Sequence, residues 1–353
     1  MAGREHGFAI VGCGVIGPSH ARAIQALPNA HLVAAVDVVE EKARELTDKF
    51  GGDPETDLDR VLGRPDVDVV CVCVPSGLHA EVGCRAAEAG KHVLVEKPID
   101  ITLEAADRLI ATARRSGVRL SVVSQYRFAP DIRRVRELID GGRLGRPVLG
   151  DAIVKWYRTQ GYYDSGDWRG TWALDGGGCL MNQGIHYIDL LQWLMGPVKT
   201  VTAQTATLGH TVEVEDVALA MVQFESGAVG VIEGSTAIYP GLPERLEISG
   251  QTGTVIVESA RLVLCELQDE KGEVGSYGAK GRSREQQSAT STSADPAALS
   301  LSSHLPQIAE LLDAIESDRD PFITGEAGRR PLEIILAIYE SARQGRPVQL
   351  PLT

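Results

Sequence analysis

Three groups of residues in this chain have types and spacing that can do chemistry. The first is Gly12-Cys13-Gly14-Val15-Ile16-Gly17, entered by the apolar run Phe8-Ala9-Ile10-Val11 and left by Pro18-Ser19-His20-Ala21-Arg22-Ala23-Ile24. A Gly-x-Gly-x-x-Gly turn between strand and helix cradles a dinucleotide pyrophosphate: Gly12 makes the turn, Gly14 lets backbone approach the phosphates, and Gly17 lets helix and strand pack. The next apolar run, His31–Val36, ends on Asp37, where a carboxylate takes the ribose hydroxyls and repels a 2′-phosphate. Val38-Val39 offers no arginine for that phosphate, so the site reads as NAD, with NADP disfavoured. The second group is Glu96-Lys97-Pro98, closing the apolar run His92–Val95. A lysine at the carboxyl end of a parallel strand stands on the edge where open α/β sheets bind ligands; it can polarise a substrate oxygen or, with a lowered pKa, pass a proton.

The third group follows Gly176-Gly177-Gly178, where Asn182 and His186 stand four apart and so share one face of a helix. A histidine titrating near neutrality suits the removal of a hydroxyl proton as hydride leaves the same carbon. Upstream, Lys155 to Trp172 holds three of the four tryptophans and three of the eight tyrosines, with Lys155, Arg158 and Arg169 among them. Aromatic walls with placed cations fit a sugar bearing a carboxylate or phosphate; core aromatics with surface charges would read the same way.

The elements that must carry these groups follow from periodicity. Helices are expected over Glu40–Phe50, Leu58–Leu62, Ala80–Ala89 and Leu103–Ser116, alternating with strands at Val67–Val74, His92–Val95 and Arg119–Ser124. That alternation predicts a doubly wound parallel sheet, a Rossmann domain, over 1–124. Strand runs at hairpin spacing then follow at Val201–Thr207, Val217–Phe224, Ala228–Ser235, Leu246–Ser249 and Thr254–Glu258, which predicts an α+β domain over 125–353 with a large, mostly antiparallel open sheet. Gln268–Ser303 reads as a mobile surface loop, and amphipathic helices return at His304–Ile315 and Pro331–Arg343.

A length of 353 residues favours two domains. Net charge of −13 argues against nucleic acid or an anionic membrane as partner, while leaving a small anionic substrate open. Without an apolar run of membrane-spanning length or a signal-peptide core, the expected location is the cytoplasm. The six cysteines lack metal-ligand spacing and read as reduced, mostly buried residues, with no metal expected.

On Gly12-x-Gly14-x-x-Gly17, Pro75-Ser76-Gly77-Leu78-His79, Glu96-Lys97-Pro98, the Gly176–Asp189 segment and the ending Glu333–Arg343 before Gly345-Arg346-Pro347-Val348, the chain resembles the Gfo/Idh/MocA oxidoreductases over almost its whole length. The resemblance implies catalysis by Lys97 and His186 with Asn182 beside them. It also implies Pro75, Leu78 and His79 near the nicotinamide ribose and Gln125 near the ring. The full set of expected cofactor contacts adds Val15, Ile16, Glu96 and Lys97 to the glycines and Asp37. Expected substrate contacts are Tyr126, Arg127, Arg158, Tyr163, Trp168, Arg169, Asn182 and His186. The family often has aspartate where this chain has Asn182, and asparagine there resembles a branch acting on nucleotide-linked uronic acids, typified by UDP-N-acetylglucosaminuronate 3-dehydrogenase. The implied activity is NAD-dependent oxidation of a secondary alcohol on a sugar, cyclic polyol or sugar nucleotide. Its alternatives are reduction of a keto sugar with NAD(P)H, or a dinucleotide-binding regulator without turnover. A homodimer or homotetramer through the C-terminal sheet is also implied.

Overall fold

Strands whose apolar residues fall at every position have no polar face to give to water, so they must lie between two layers of helices. The computed structural model describes residues 4–268, 274–275, 278–279 and 304–352; the expected loop at Gln268–Ser303 falls almost wholly outside them. The first half alternates as expected, with one added strand, β3, that the sequence pattern did not mark: β1 (His6–Val11), α1 (Gly17–Gln25), β2 (Ala30–Val36), α2 (Glu40–Phe50), β3 (Asp53–Glu55), α3 (Leu58–Leu62), β4 (Val69–Val72), α4 (His79–Glu88), β5 (His92–Val95), α5 (Leu103–Ser116) and β6 (Leu120–Val122). All six strands are parallel, in the order β3-β2-β1-β4-β5-β6. Phe8 of β1 pairs with Leu32 on one side and Val69 on the other. The order reverses between β1 and β4, and the loops leaving that point are the ones that carry Gly12 and Pro75.

The second half runs through α6 (Pro130–Asp140), β7 (Pro147–Lys155), α7 (Gln160–Tyr163), a π-helical turn at Cys179–Gly184, α8 (Ile185–Met195), β8 (Val198–Ala206), β9 (Val217–Phe224), β10 (Val229–Ser235), β11 (Arg245–Gly250), β12 (Gly253–Glu258) and β13 (Arg261–Leu267). The two-residue strands β14 (Val274–Gly275) and β15 (Gly278–Ala279), α9 (Leu305–Glu316), α10 (Gly325–Gln344) and β16 (Val348–Gln349) complete it. Eight strands form one sheet in the order β13-β12-β11-β7-β10-β9-β8-β16, antiparallel except for the β7–β10 pair. β9 alternates between buried and exposed residues, as a sheet with one covered face requires.

Two helices depart from the sequence pattern. α10 begins before the expected Pro331, because Thr324 accepts from the Ala327 amide and caps a helix that carries the proline inside it. α9 belongs spatially to the first half: Ile308, Leu311 and Leu312 are buried in one cluster with Phe8, Ile10, Ala21 and Ile24. Each such side chain contributes roughly 1.5–3 kcal/mol on burial, so the Rossmann layer depends on a helix from the far end of the chain.

Candidate active site

The glycine turn divides its labour. Gly12 has φ of +97°, and a side chain there would run into the Cys73 carbonyl, so the neighbouring strand demands glycine. Gly14 is different: a Cβ there would meet nothing within 4 Å, so its bareness serves no packing within the protein and leaves a cradle open to a ligand. Val15 is exposed, and α1 starts without a side-chain cap, so its first amides are free to face an anion. Asp37 is aimed at this turn by two bonds, accepting from the Cys13 amide at 2.9 Å and from the Val39 amide at 2.9 Å. A pyrophosphate over Gly14 and a ribose on Asp37 therefore fit the residues present.

Along the same edge, Pro75 precedes a tight 3₁₀ turn (Ser76–Leu78), and the Gly77 amide donates to the Leu174 carbonyl at 2.8 Å. Gln125 opens a second such turn, Gln125–Phe128, and its buried Oε1 has no partner among the described residues. A nicotinamide carboxamide would supply the missing donor. Two expected cofactor contacts are redirected. His79 is buried with its ring nitrogens on the Pro98 and Val74 carbonyls, so it clamps two strand ends and has no nitrogen left for a ribose. Glu96 turns inward, within hydrogen-bonding distance of His20 (2.8 Å) and His304 (3.2 Å). Burial alone would raise its pKa; the two imidazole hydrogen bonds overturn that and hold the carboxyl well below its usual range.

Lys97 and His186 line one cavity, together with Ser124 and Ile185. Lys97 Nζ donates to the Asn182 carbonyl at 2.8 Å. Burial lowers the lysine's pKa, the charges of Glu96 and Asp175 oppose that, and Arg169 adds to it. Burial and then the Lys97 charge push His186 down to about 3, so the imidazole is neutral. Tyr126 meets the His186 ring edge-on at 5.1 Å. The four-residue spacing of Asn182 and His186 does not make one α-helical face, because Asn182 lies in the π turn and His186 in α8. Asn182 instead donates through Nδ2 to Asp175 at 3.1 Å. The π turn is pinned by Glu215, which accepts from the Gly178 amide (2.8 Å), the Leu180 amide (3.0 Å) and the Tyr339 hydroxyl (2.9 Å). A side chain on Gly178 would collide with the Glu215 backbone.

The aromatic stretch separates into wall and framework. Arg169 lies 4.5 Å from the ring centres of both Tyr162 and Trp168 and donates to the Tyr162 hydroxyl at 2.8 Å. Arg158 is buried over Trp156 and Tyr162 and donates to the Tyr157 carbonyl. Tyr163 is buried with its hydroxyl on Thr236 at 2.7 Å, and Lys155 pairs with Glu233. Arg127 makes a buried two-point pair with Asp189, its Nε at 2.8 Å. Arg127, Arg158 and Tyr163 are thus held by the protein itself, whereas Tyr126 packs on His186, Arg169 lies within electrostatic range of Lys97, and Trp168 packs on Arg169. Sequence reasoning missed Asp175, Glu215, His20 and His304; only Asp175, a carboxylate directly before the three glycines, carried a local signal.

Residues 6–124 match the oxidoreductase family with an NAD-binding Rossmann fold, and residues 132–256 match the GFO/IDH/MocA C-terminal domain. The WlbA dehydrogenase of Bordetella pertussis, solved with NADH and UDP-GlcNAcA, superposes with a TM-score of 0.86 at 33% identity, over 99% of this chain and 100% of its own. The chain belongs to the Gfo/Idh/MocA family. Other members similar to it are the myo-inositol 2-dehydrogenase of Thermotoga maritima, 28% identical over 97% of this chain and 98% of its own, and the 1,5-anhydro-D-fructose reductase of Ensifer adhaerens, 31% identical over 88% of each. As a Gfo/Idh/MocA oxidoreductase, the protein has an NAD-binding first domain, which accounts for the open cradle at Gly14. Among the described residues no helix is long and apolar enough to cross a membrane.

Proposed function

We propose that this protein is an NAD-dependent dehydrogenase of a secondary carbinol on a sugar, cyclic polyol or sugar nucleotide. The observation that carries the reading is that Lys97 and a neutral His186 line one cavity, on the sheet edge that holds the glycine turn. NAD⁺, when bound, supplies the hydride acceptor. Lys97 donates a hydrogen bond to the carbinol oxygen and steadies its developing negative charge. His186 takes the hydroxyl proton as the carbinol C–H bond breaks, leaving a ketone. Tyr126 fixes the imidazole from its edge. Pro75, Leu78 and Gln125 bound the nicotinamide end, and Val15, Ile16, Gly17 and Asp37 the adenosine end.

Arg169 has no ion pair among the described residues and faces the same site as Lys97, which supports a substrate carrying a negative charge. A nucleotide-linked uronic acid of the kind bound to the WlbA dehydrogenase has that charge. The test is NAD⁺ reduction with inositols, hexoses and UDP-sugars, with and without a carboxylate; oxidation of none of them, in a protein that binds NAD, overturns the reading. Reduction of a keto sugar with NADH uses the same residues in reverse, and the similarity to an anhydrofructose reductase supports testing it.

For assembly, we infer pairing through the outer face of the larger sheet, where Leu219, Met221 and Val229 stand exposed on adjacent strands β9 and β10. Light scattering showing a monomer would refute this. Six free cysteines suit the reducing cytoplasm inferred as its compartment.

A further inference from the structure

Asp175 has no part in the steps above. It is buried in the loop that leads from Gly170 to the π turn, its Oδ2 accepting from the Gly170 amide at 2.9 Å and its Oδ1 from Asn182 Nδ2 at 3.1 Å. A carboxylate only accepts, so this bond decides which way the amide lies: Nδ2 faces Asp175 and Oδ1 faces away from it. The main-chain carbonyl of the same Asn182 accepts from Lys97 Nζ at 2.8 Å. One residue thus joins Asp175 to the lysine, by its side chain at one end and its backbone at the other. Asn182 is partly exposed, and among the described residues its Oδ1 accepts no hydrogen bond from the protein.

We propose that Asp175 is a positioning residue: it turns Asn182 so that the amide presents an acceptor to a substrate hydroxyl and, through the Asn182 main-chain carbonyl, it holds the Lys97 amine in place. This rests on the dehydrogenase reading above. The charged and titratable groups around Lys97 are Glu96 and Asp175, which favour its ammonium form, Arg169, which disfavours it, and His186, which is neutral. Around Asp175 stand Lys97 and Arg169, with the neutral Tyr162 and Tyr163 of α7 also in range. An asparagine at 175 keeps the shape and still accepts from Gly170, but removes the charge. It also allows the Asn182 amide either orientation, so the substrate hydroxyl would meet a donor part of the time. Reversing the pair, carboxylate at 182 and amide at 175, restores both the charge near Lys97 and an acceptor toward the substrate.

Four proteins test this: wild type, Asp175→Asn, Asn182→Asp, and the two changes together. Each is measured for NAD affinity, for kcat/KM against pH, and for its melting temperature at several pH values without substrate. Asp175→Asn should bind NAD as wild type does, raise KM, and move the high-pH limb of kcat/KM to lower pH, each unit of movement being about a tenfold loss of lysine proton affinity. Asn182→Asp sets two carboxylates face to face and should melt lower as pH rises; the double change should recover both the melt and the high-pH limb. An unmoved limb and KM in Asp175→Asn, or a double variant that melts no better than Asn182→Asp, overturns the proposal. Should Asp175→Asn fail to fold, Asn182→Ala carries the test: it should weaken a hydroxylated substrate more than its deoxy analogue, and an unchanged ratio between the two overturns it. If wild type oxidises no candidate substrate, the dehydrogenase reading fails, while the melts still decide whether Asp175 and Asn182 are coupled.

Discussion

Replacing Arg127 by methionine should cost stability and leave substrate affinity nearly untouched. The guanidinium makes a two-point pair with Asp189, both side chains are only 4% exposed, and the cation lies 5.2 Å from the centre of the Trp193 ring. The pair ties the turn after β6 to α8, the helix that carries His186. Removing the cation strands a buried carboxylate, a loss of about 3–5 kcal/mol. At about 2–4 °C per kcal/mol for a chain of a few hundred residues, the melt should fall by roughly 6–20 °C. Circular dichroism melts measure this, with KM determined at a temperature where both proteins are folded. Adding Asp189→Leu to Arg127→Met removes the stranded charge and should recover most of the melt. A wild-type melt together with a large rise in KM would show that Arg127 reaches the substrate and that its pairing with Asp189 is dispensable.

Lys97→Met should keep NAD affinity and lose turnover, as titration fluorimetry and steady-state assays would show; retained turnover removes Lys97 from the chemistry. For His186, whose pKa is depressed to about 3, lowering the pH leaves the neutral base in place, so kcat/KM should stay level through 6.5; an acid limb centred there would contradict the burial argument. Gly14→Val should leave the melt unchanged, because a Cβ there meets nothing, yet weaken NAD by about tenfold or more, roughly 1.4 kcal/mol. A lowered melt with normal affinity would put the role of Gly14 in packing. Met221→Lys should shift any oligomer toward monomer in light scattering, and an unchanged mass would move the interface elsewhere.

What was legible in the sequence was whatever a short-range pattern encodes. The parallel sheet could be read because strands such as Val69–Val72 are apolar on both faces and sit between helices at regular intervals. β7 was not, since Pro147–Lys155 begins on a proline, and of its three buried positions, Gly150, Ala152 and Val154, the first carries no side chain and the second only a methyl to mark the inward face. Lys97 and His186 were singled out by their motifs, and the fold brings them to one cavity. The partners that decide what those motifs do were not legible: Glu96 meets His304 across 208 positions, and Arg127 meets Asp189 across 62. The spacing of Asn182 and His186 misled for a local reason, since a π turn accommodates an extra residue and an α-helical count does not carry across it.

The placement of α9 also bears on how this protein comes off the ribosome. Residues 1–124 leave the ribosome about 180 residues ahead of His304, which reaches Glu96, and of Ile308, Leu311 and Leu312, which cover the apolar side of α1. At about 5–20 residues per second, the nascent Rossmann half waits on the order of 10–40 s with that side uncovered. During that interval Ile24 and its neighbours are a ready surface for a chaperone or for another nascent chain. Truncation before residue 304 should therefore yield an aggregating protein even though every strand of the first sheet is present.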